Sequence, residues 1–416
     1  MMLGAAIGLL ALQPAWGNKG VIQLEYWHIY GGDFGRAHEK LIDEFNASHP
    51  DIQVRYSYSG NSWTGWNKLE LAIAAGTAPD VALIEDYWTA PLAESKAIVR
   101  LDELIEEEGE AFKDDVYPLF WRSATYKGGI WAMPYAASNL VLYYNKDLFR
   151  AASLDPDSPP RTWDELVKLG ERLTKDTDGD GRPDQWGLSF PLTAHRGVVY
   201  YFIPFLWQNG GELFNIGYTK ARFAGPEGVG ALQFWLDLIY KYGIMPLSPP
   251  TEGFISGRVA MTLGSSARLN LIYKKQVKFE LGVAPLPLNR RRATILGGKS
   301  LAILTKDERK ERAAWEFIRW MTDTQRNLSW STSTGYIPLR LSVIRSREFQ
   351  NYLRENPGAG VALGELLYTR PRPNLSAYTE ISRILGLALE RALFGREDPQ
   401  LVLEEAAEEA QRYLNP

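Results

Sequence analysis

IWAMPYAASNLVLYYNKD, residues 130 to 147, is a long apolar run with the appearance of a strand, broken by small and polar residues at Ala136 to Asn139. Strands inside one sheet typically run to about five or six residues. A run three times that length with a break in its middle reads as a strand that crosses from one lobe to another. The stretch APLPLNRRRATILGGKSLAIL, residues 284 to 304, repeats the signature: an irregular proline-rich connection, a return strand and two glycines. PPRTWDEL, residues 159 to 166, follows the first crossing as a proline stop leading into a helix cap at Thr162.

Upstream of the crossing the pattern alternates. VIQLEYWH reads as a strand, Gly31 and Gly32 as a turn, and residues 34 to 46 as an amphipathic helix ended by Ser48-His49-Pro50. IQVRYSY is a second strand, followed by a loop rich in Gly, Ser and Trp and an Ala-rich helix ending at Gly76. PDVALIE is a third strand, whose carboxyl end presents Glu85, Asp86, Tyr87 and Trp88. Repeated strand-helix units predict an open α/β sheet, in which ligands meet the loops at the carboxyl ends of strands. Between the crossings, helices are expected near 163 to 175, 197 to 208 and 226 to 241, with strands near 258 to 263 and 278 to 284. Residues 308 to 323 form an amphipathic helix, TGYIPLR a turn, and residues 377 to 411 the C-terminal helices. The predicted fold class is therefore α/β, with two α/β lobes joined by a multi-strand hinge. Residues 18–137 plus 294–333 form the N-terminal lobe, and 138–293 plus 334–416 the C-terminal lobe.

A chain of 416 residues is long enough for two such lobes. Its net charge of -4 supplies no general attraction to nucleic acid or an anionic membrane. MMLGAAIGLLALQPAWG is apolar and ends in Ala15 and Gly17, small residues that suit signal cleavage before Asn18. Residues 1–17 are expected to be a signal peptide and the protein to be exported in soluble form, although the stretch lacks a positive n-region. An upstream start or an uncleaved buried segment would account for that. The absence of cysteine excludes a lipobox anchor, disulfides, thiol catalysis and thiolate metal sites.

The order of several stretches resembles the extracellular solute-binding proteins (family 1) of bacterial ABC importers, of the maltose- and glycerol-3-phosphate-binding kind. They are FNASHPDIQV, AAGTAPDVALIE, YYNKDLFRAASLDP, PPRTWDEL, LWQNGGELF, GRVAMTLGSS, GGKSLAI and STSTGYIPLR. Similarity is greatest to the glycerol-3-phosphate-binding members, through WH near the start, GGKSLAI, STSTGYIP and RENPGA. The resemblance implies a class II periplasmic-binding-protein fold that closes around a solute, a periplasmic or extracellular location, ABC permease subunits as partners, and no enzymatic activity. A monomer is expected, with no nucleic-acid partner and no required cofactor.

Carried over position by position, the resemblance places solute contacts at Trp63, Asp86, Ser138, Ser265 or Ser266, Gly297 or Gly298, and Tyr336. The family's tryptophan pair falls instead near His195 and Val198. Its C-terminal arginine falls near Leu375, with Arg372 as the nearest replacement. A phosphate would need His195, Arg372, the glycine backbone and the serines, since an anion requires convergent donors. A neutral sugar would draw on Trp63, Trp66, Tyr200 and Asp86, because aromatic faces cover C–H surfaces while carboxylates and hydroxyls take hydrogen bonds. The expected solute is glycerol-3-phosphate or a glycerophosphodiester, with a mono- or oligosaccharide as the alternative. Trp235, Trp315 and Trp320 sit on amphipathic helices and read as core.

Hydrolytic chemistry has weaker support. The chain lacks GxSxG, HExxH and a complete Walker A motif, although a carboxylate pair for glycoside hydrolysis is invisible in sequence. Asp176, Asp178, Asp180, Gly181 and Asp184 follow the spacing of a calcium loop, but Gly187 stands where a bidentate Glu belongs. A structural calcium and a plain Asx-rich turn both fit that pattern.

Overall fold

The computed structural model describes residues 20–193, 197–250 and 252–414. The expected signal peptide and His195 lie outside the described residues. In chain order the strands are β1 Ile22–His28, β2 Ile52–Tyr58, β3 Val81–Glu85, β4 Thr125–Tyr126, β5 Gly129–Ile130, β6 Met133–Asn145, β7 Trp186–Ser189, β8 Val259–Ser265, β9 Leu281–Ala284, β10 Thr294–Ile303 and β11 Thr369–Arg370. Nine of them form one ladder in the order β2-β1-β3-β10-β6-β8-β7, with β11 on β10 and β9 on β6; β4 and β5 make a separate hairpin.

β6 explains why two lobes share one ladder. All 13 of its residues are buried, and the polar stretch at Ala136 to Asn139 does not interrupt it. What changes there is the partner. Met133 to Asn139 pair antiparallel with β10, whereas Leu140 to Tyr144 pair with β8 and Leu142 to Asn145 with β9. The register slips between Lys299 and Ser300 on β10, so Tyr135 on β6 has no opposite residue. A bulge of this kind also accommodates Pro134, which has no N–H to give to the ladder.

Beyond that switch, successive β6 side chains face different cores, as a pleated strand requires. Val141 and Tyr143 join a cluster with Leu24, Tyr26, Phe45, Ile84 and Phe317, while Leu140, Leu142 and Tyr144 join one with Phe202, Trp235 and Leu389. The first cluster also takes in Tyr336, Ile337, Ala362 and Leu366; the C-terminal helices Tyr378–Gly395 and Pro399–Leu414 belong to the second. The turn TGYIPLR, at which the expected lobe boundary falls, also meets β6: Ile337 N donates to Ala137 O at 2.7 Å, in an antiparallel bridge.

The sequence places Trp63 and Trp66 in a loop, but the structure has both in the helix Ser62–Ala74. Asn61 is the reason: its side chain accepts from Trp63 N at 3.0 Å and Thr64 N at 3.1 Å, satisfying N–H groups that helix starts leave unpaired. The cap at Thr162 forms as expected, accepting from Glu165 N at 3.1 Å. Among the described residues no helix is long and apolar enough to cross a membrane.

Candidate solute-binding site

β3 is fully buried, and its chain leaves the sheet through the short turn Asp86–Trp88. That exit delivers two consecutive carboxylates to the strand's carboxyl edge, Glu85 at 6% exposure and Asp86 at 2%. Buried carboxylates survive as ions only when paired and hydrogen-bonded. Glu85 is well supplied: it accepts from Ser62 Oγ at 2.5 Å, Lys299 Nζ at 2.6 Å and an Arg372 nitrogen at 3.1 Å. Asp86 accepts from the same Arg372 nitrogen and from Tyr87 N at 2.8 Å, but its Oδ2 is buried with no partner.

The unequal support separates the two acids. Burial raises Glu85, yet Lys299 and Arg372 outweigh it and hold the carboxyl at about 2. Burial wins at Asp86: Arg372 pulls it down, Glu85 pushes it back up, and the carboxyl sits at about 6. Burial also works against the charge of Arg372, but Asp86 and Glu85 more than compensate, so the guanidinium stays protonated.

The crossing strands bring bare backbone to this cluster. Ser138 Oγ donates to Gly297 O at 3.1 Å. A Cβ at position 297 would stand 2.7 Å from Tyr200 Oη and 2.9 Å from Ser138 Oγ; one at 298 would stand 3.1 Å from Asp86 Oδ2. The glycine pair thus lets three side chains from separate elements close on the β10 backbone. Tyr200 belongs to the helix Val198–Gln208, and its hydroxyl is buried without a partner. Burial raises its pKa, so it remains a neutral donor and acceptor.

A strap after β11 completes the site. Arg370 holds Glu212 with two bonds, at 2.6 and 3.0 Å. Arg372 then reaches the cluster with its guanidinium 4.1 Å from the Tyr87 ring centre and 5.7 Å from that of Tyr200. Its side chain is 10% exposed, and its Nε is buried and unpartnered. Farther along, Asn374 donates to Thr125 O and Ser376 meets Tyr126 Oη at 3.1 Å. The cluster therefore offers an acceptor (Asp86 Oδ2), a hydroxyl (Tyr200) and a cationic donor (Arg372 Nε). That set complements a polyhydroxylated solute with an electron-rich oxygen.

Of the residues chosen from the sequence, Asp86, Ser138, Tyr200, Gly298 and Arg372 come together here. Tyr336 stands beside Lys299, whose charge acts on its hydroxyl, and its ring stacks on Trp330 at 5.7 Å. Ser265 Oγ accepts from Ala267 N at 3.3 Å. Ser266 is engaged with β6 instead: its Oγ accepts from Asn139 N at 3.2 Å and its N–H donates to Asn139 O at 2.8 Å. Trp63 is half exposed on the first turn of its helix, next to the Ser62 that bonds Glu85, while Trp66 packs on Trp88 at 5.2 Å.

Sequence reasoning assigned no role to Ser62, Glu85, Tyr87 or Lys299. Lys299 carried a usable signal, because a lysine inside the apolar strand TILGGKSLAI needs a buried counter-ion. The aspartate loop lies away from this cluster. One carboxylate oxygen each of Asp176, Asp178 and Asp184 lies within 4.8 Å of the others, and all three residues are exposed. Asp176 already accepts from Gly179 N and Gly181 N, and Asp184 from Thr177 N, so the loop's own amides supply partners.

Comparisons with known proteins agree with this architecture. The family model for bacterial extracellular solute-binding proteins matches residues 40–355. The sn-glycerol-3-phosphate-binding periplasmic protein UgpB of Pectobacterium atrosepticum is 28% identical, covering 99% of this chain and 95% of the relative. The structure of UgpB from Mycobacterium tuberculosis in complex with glycerophosphocholine is 26% identical, with a TM-score of 0.84 over 95% of this chain and 99% of that one. An ABC-transporter solute-binding protein from Thermotoga lettingae bound to α-D-tagatose is 27% identical, also with a TM-score of 0.84, over 95% of this chain and all of the other. Two α/β lobes joined by shared strands, with the acid-arginine cluster at their junction, are thus the body of a non-catalytic extracytoplasmic component of an ABC importer, partnered by membrane permease subunits, and the chain belongs to the bacterial extracellular solute-binding protein family.

Proposed function

We propose that the solute is a glycerophosphodiester or a related glycerol phosphate, and that Arg372 is its anion-binding group. The observation that carries this reading is the placement of Arg372: it lies beside Tyr200 and Asp86 with its Nε buried and unpartnered. It stands in for the arginine that the family resemblance sets near Leu375. The UgpB relatives named above support the same class of solute. Charge favours the diester over the monoester. Glu85, Asp86, Lys299 and Arg372 balance to zero when all are ionised, so a single negative charge is easier to desolvate here than two.

The same balance favours a second reading, a neutral mono- or oligosaccharide set against Trp63, Tyr87 and Tyr200. Isothermal titration with glycerophosphocholine, glycerol-3-phosphate, maltose, trehalose and glucose separates the two. Micromolar binding of glycerophosphocholine, weaker binding of glycerol-3-phosphate and no heat from the sugars is expected. Micromolar binding of a neutral sugar with no heat from either phosphate compound sinks the phosphate assignment and leaves the importer role untouched. The lobes, 18–137 with 294–333 and 138–293 with 334–416, are proposed to close on the solute through the crossings at Ala137, Gly297 and Ile337. Small-angle scattering should then record a smaller radius of gyration at saturation.

A further inference from the structure

We propose that Glu85, fixed by Lys299 and Ser62, is the positioning residue that holds Arg372 in the cleft, and that Asp86 is the exchangeable partner whose place on the guanidinium the solute takes. This rests on Arg372 meeting the solute. Both acids touch the same arginine nitrogen, but their surroundings differ. Glu85 has both oxygens engaged, one by Lys299 and Ser62 and the other by Arg372, from elements at opposite ends of the sequence. Lys299 is itself fixed on β10 with its side chain 17% exposed and Glu85 as its ion-pair partner. A carboxylate with three donors cannot rotate away without breaking charge-assisted bonds.

Asp86 has one free, buried oxygen beside Gly298 and only one side-chain partner. Replacing its hold on Arg372 by a solute oxygen costs a single bond. It also frees the carboxylate to accept a solute hydroxyl. Burial leaves Asp86 the easier of the two acids to protonate, which favours the exchange further.

The test follows the Arg372 Nε–H signal by ¹⁵N NMR in solute-free protein, assigned with Arg372→Lys. In Asp86→Asn the signal is expected to stay sharp and protected; in Glu85→Gln it should broaden or be lost to exchange. Loss in Asp86→Asn with persistence in Glu85→Gln, or equal behaviour in both, overturns the proposal. Ser62→Ala and Lys299→Gln touch Glu85 but not Arg372, and each should weaken the same signal, which keeps the test valid if Glu85→Gln does not fold.

Titration with glycerophosphocholine adds a second reading. Glu85→Gln raises the net charge of the cleft by one, so a purely electrostatic Glu85 would predict tighter binding, whereas a positioning Glu85 predicts a loss of roughly tenfold or more. A gain overturns the proposal. Absence of heat from glycerophosphocholine with the native protein sinks the phosphodiester reading alone, and the NMR comparison still decides the role of Glu85.

Discussion

Replacing Asp86 by Asn should stabilise the folded protein at neutral pH while damaging solute binding. The carboxyl titrates at about 6 in the fold against 3.8 when unperturbed, mainly because it is buried. An acid with a raised pKa contributes stability below its unfolded value and loses it as pH rises through the folded value. Below pH 3.8 both states hold the proton and the substitution changes little. Above about pH 6 the folded protein carries a charge its site disfavours, a penalty on the order of 3 kcal/mol from the two-unit gap. Asn keeps an oxygen for Arg372 and Tyr87 N but no charge. Because Asp86 is coupled to Glu85, a gain of roughly 1–3 kcal/mol is expected at pH 7.5.

For a chain longer than 250 residues this corresponds to a rise in Tm of roughly 1–6 °C. Calorimetry of Asp86→Asn and native protein at pH 7.5 and pH 4.0, without solute, measures it. The difference should be large at the higher pH and nearly vanish at the lower, while glycerophosphocholine affinity falls. A variant that melts at or below the native temperature at pH 7.5, or that shows the same gain at both pH values, refutes the reasoning.

Trp63→Ala should leave melting unchanged, since the ring is half exposed, and weaken binding by more than about 1 kcal/mol by titration; equal affinity would assign the ring to the surface. Gly297→Ala puts a methyl 2.7 Å from Tyr200 Oη, so tenfold or greater loss of affinity is expected; unchanged affinity would place the solute away from β10. His28 is wholly buried, with its Nε2 3.4 Å from Glu39 Oε1, and burial lowers it to about 4 against the opposing pull of a backbone hydrogen bond at Tyr30; His38, between Tyr26 and Tyr135, is also lowered by burial. The unfolded chain takes up these protons below about pH 6.5, so between pH 6.5 and 4 they subtract stability while the raised Asp86 carboxyl adds it; with Asp86 common to both proteins, the urea midpoint of His28→Leu should gain on that of the native protein as pH falls, and an unchanged gap contradicts this.

The fold was legible where one periodicity ruled. β1, β2 and β3 appear within a residue or two of their expected limits, and the 13-residue β6 was recognisable by its length. Trp63 and Trp66 were misplaced because Gly, Ser and Trp lower helix propensity, and the deciding feature was the Asn61 cap. The lobe boundary at 333/334 implies a third passage of the chain, but its bridge to β6 left no signal, because a single pairing of Ile337 with Ala137 is too little to make a strand pattern. In the site, the adjacency of Glu85 and Asp86 was visible but their division of labour was not. It depends on Lys299, 214 positions from Glu85, and on Arg372, 287 positions from it.

The strap links the chemistry of the site to the geometry of the lobes. Arg370 anchors one end to Glu212, while Asn374 and Ser376 anchor the other to Thr125 and Tyr126, the latter packed against the first core cluster. Arg372 lies between these anchors, so its position is set by both sides at once. Ser138 and Gly297, which line the same cluster, belong to the strands that carry the chain across. A solute that takes over part of Arg372 from Asp86 therefore acts where the strap and two crossings converge. The proposed closure of the lobes would then start from that bond exchange, since closely packed interfaces shift between discrete arrangements more readily than they deform.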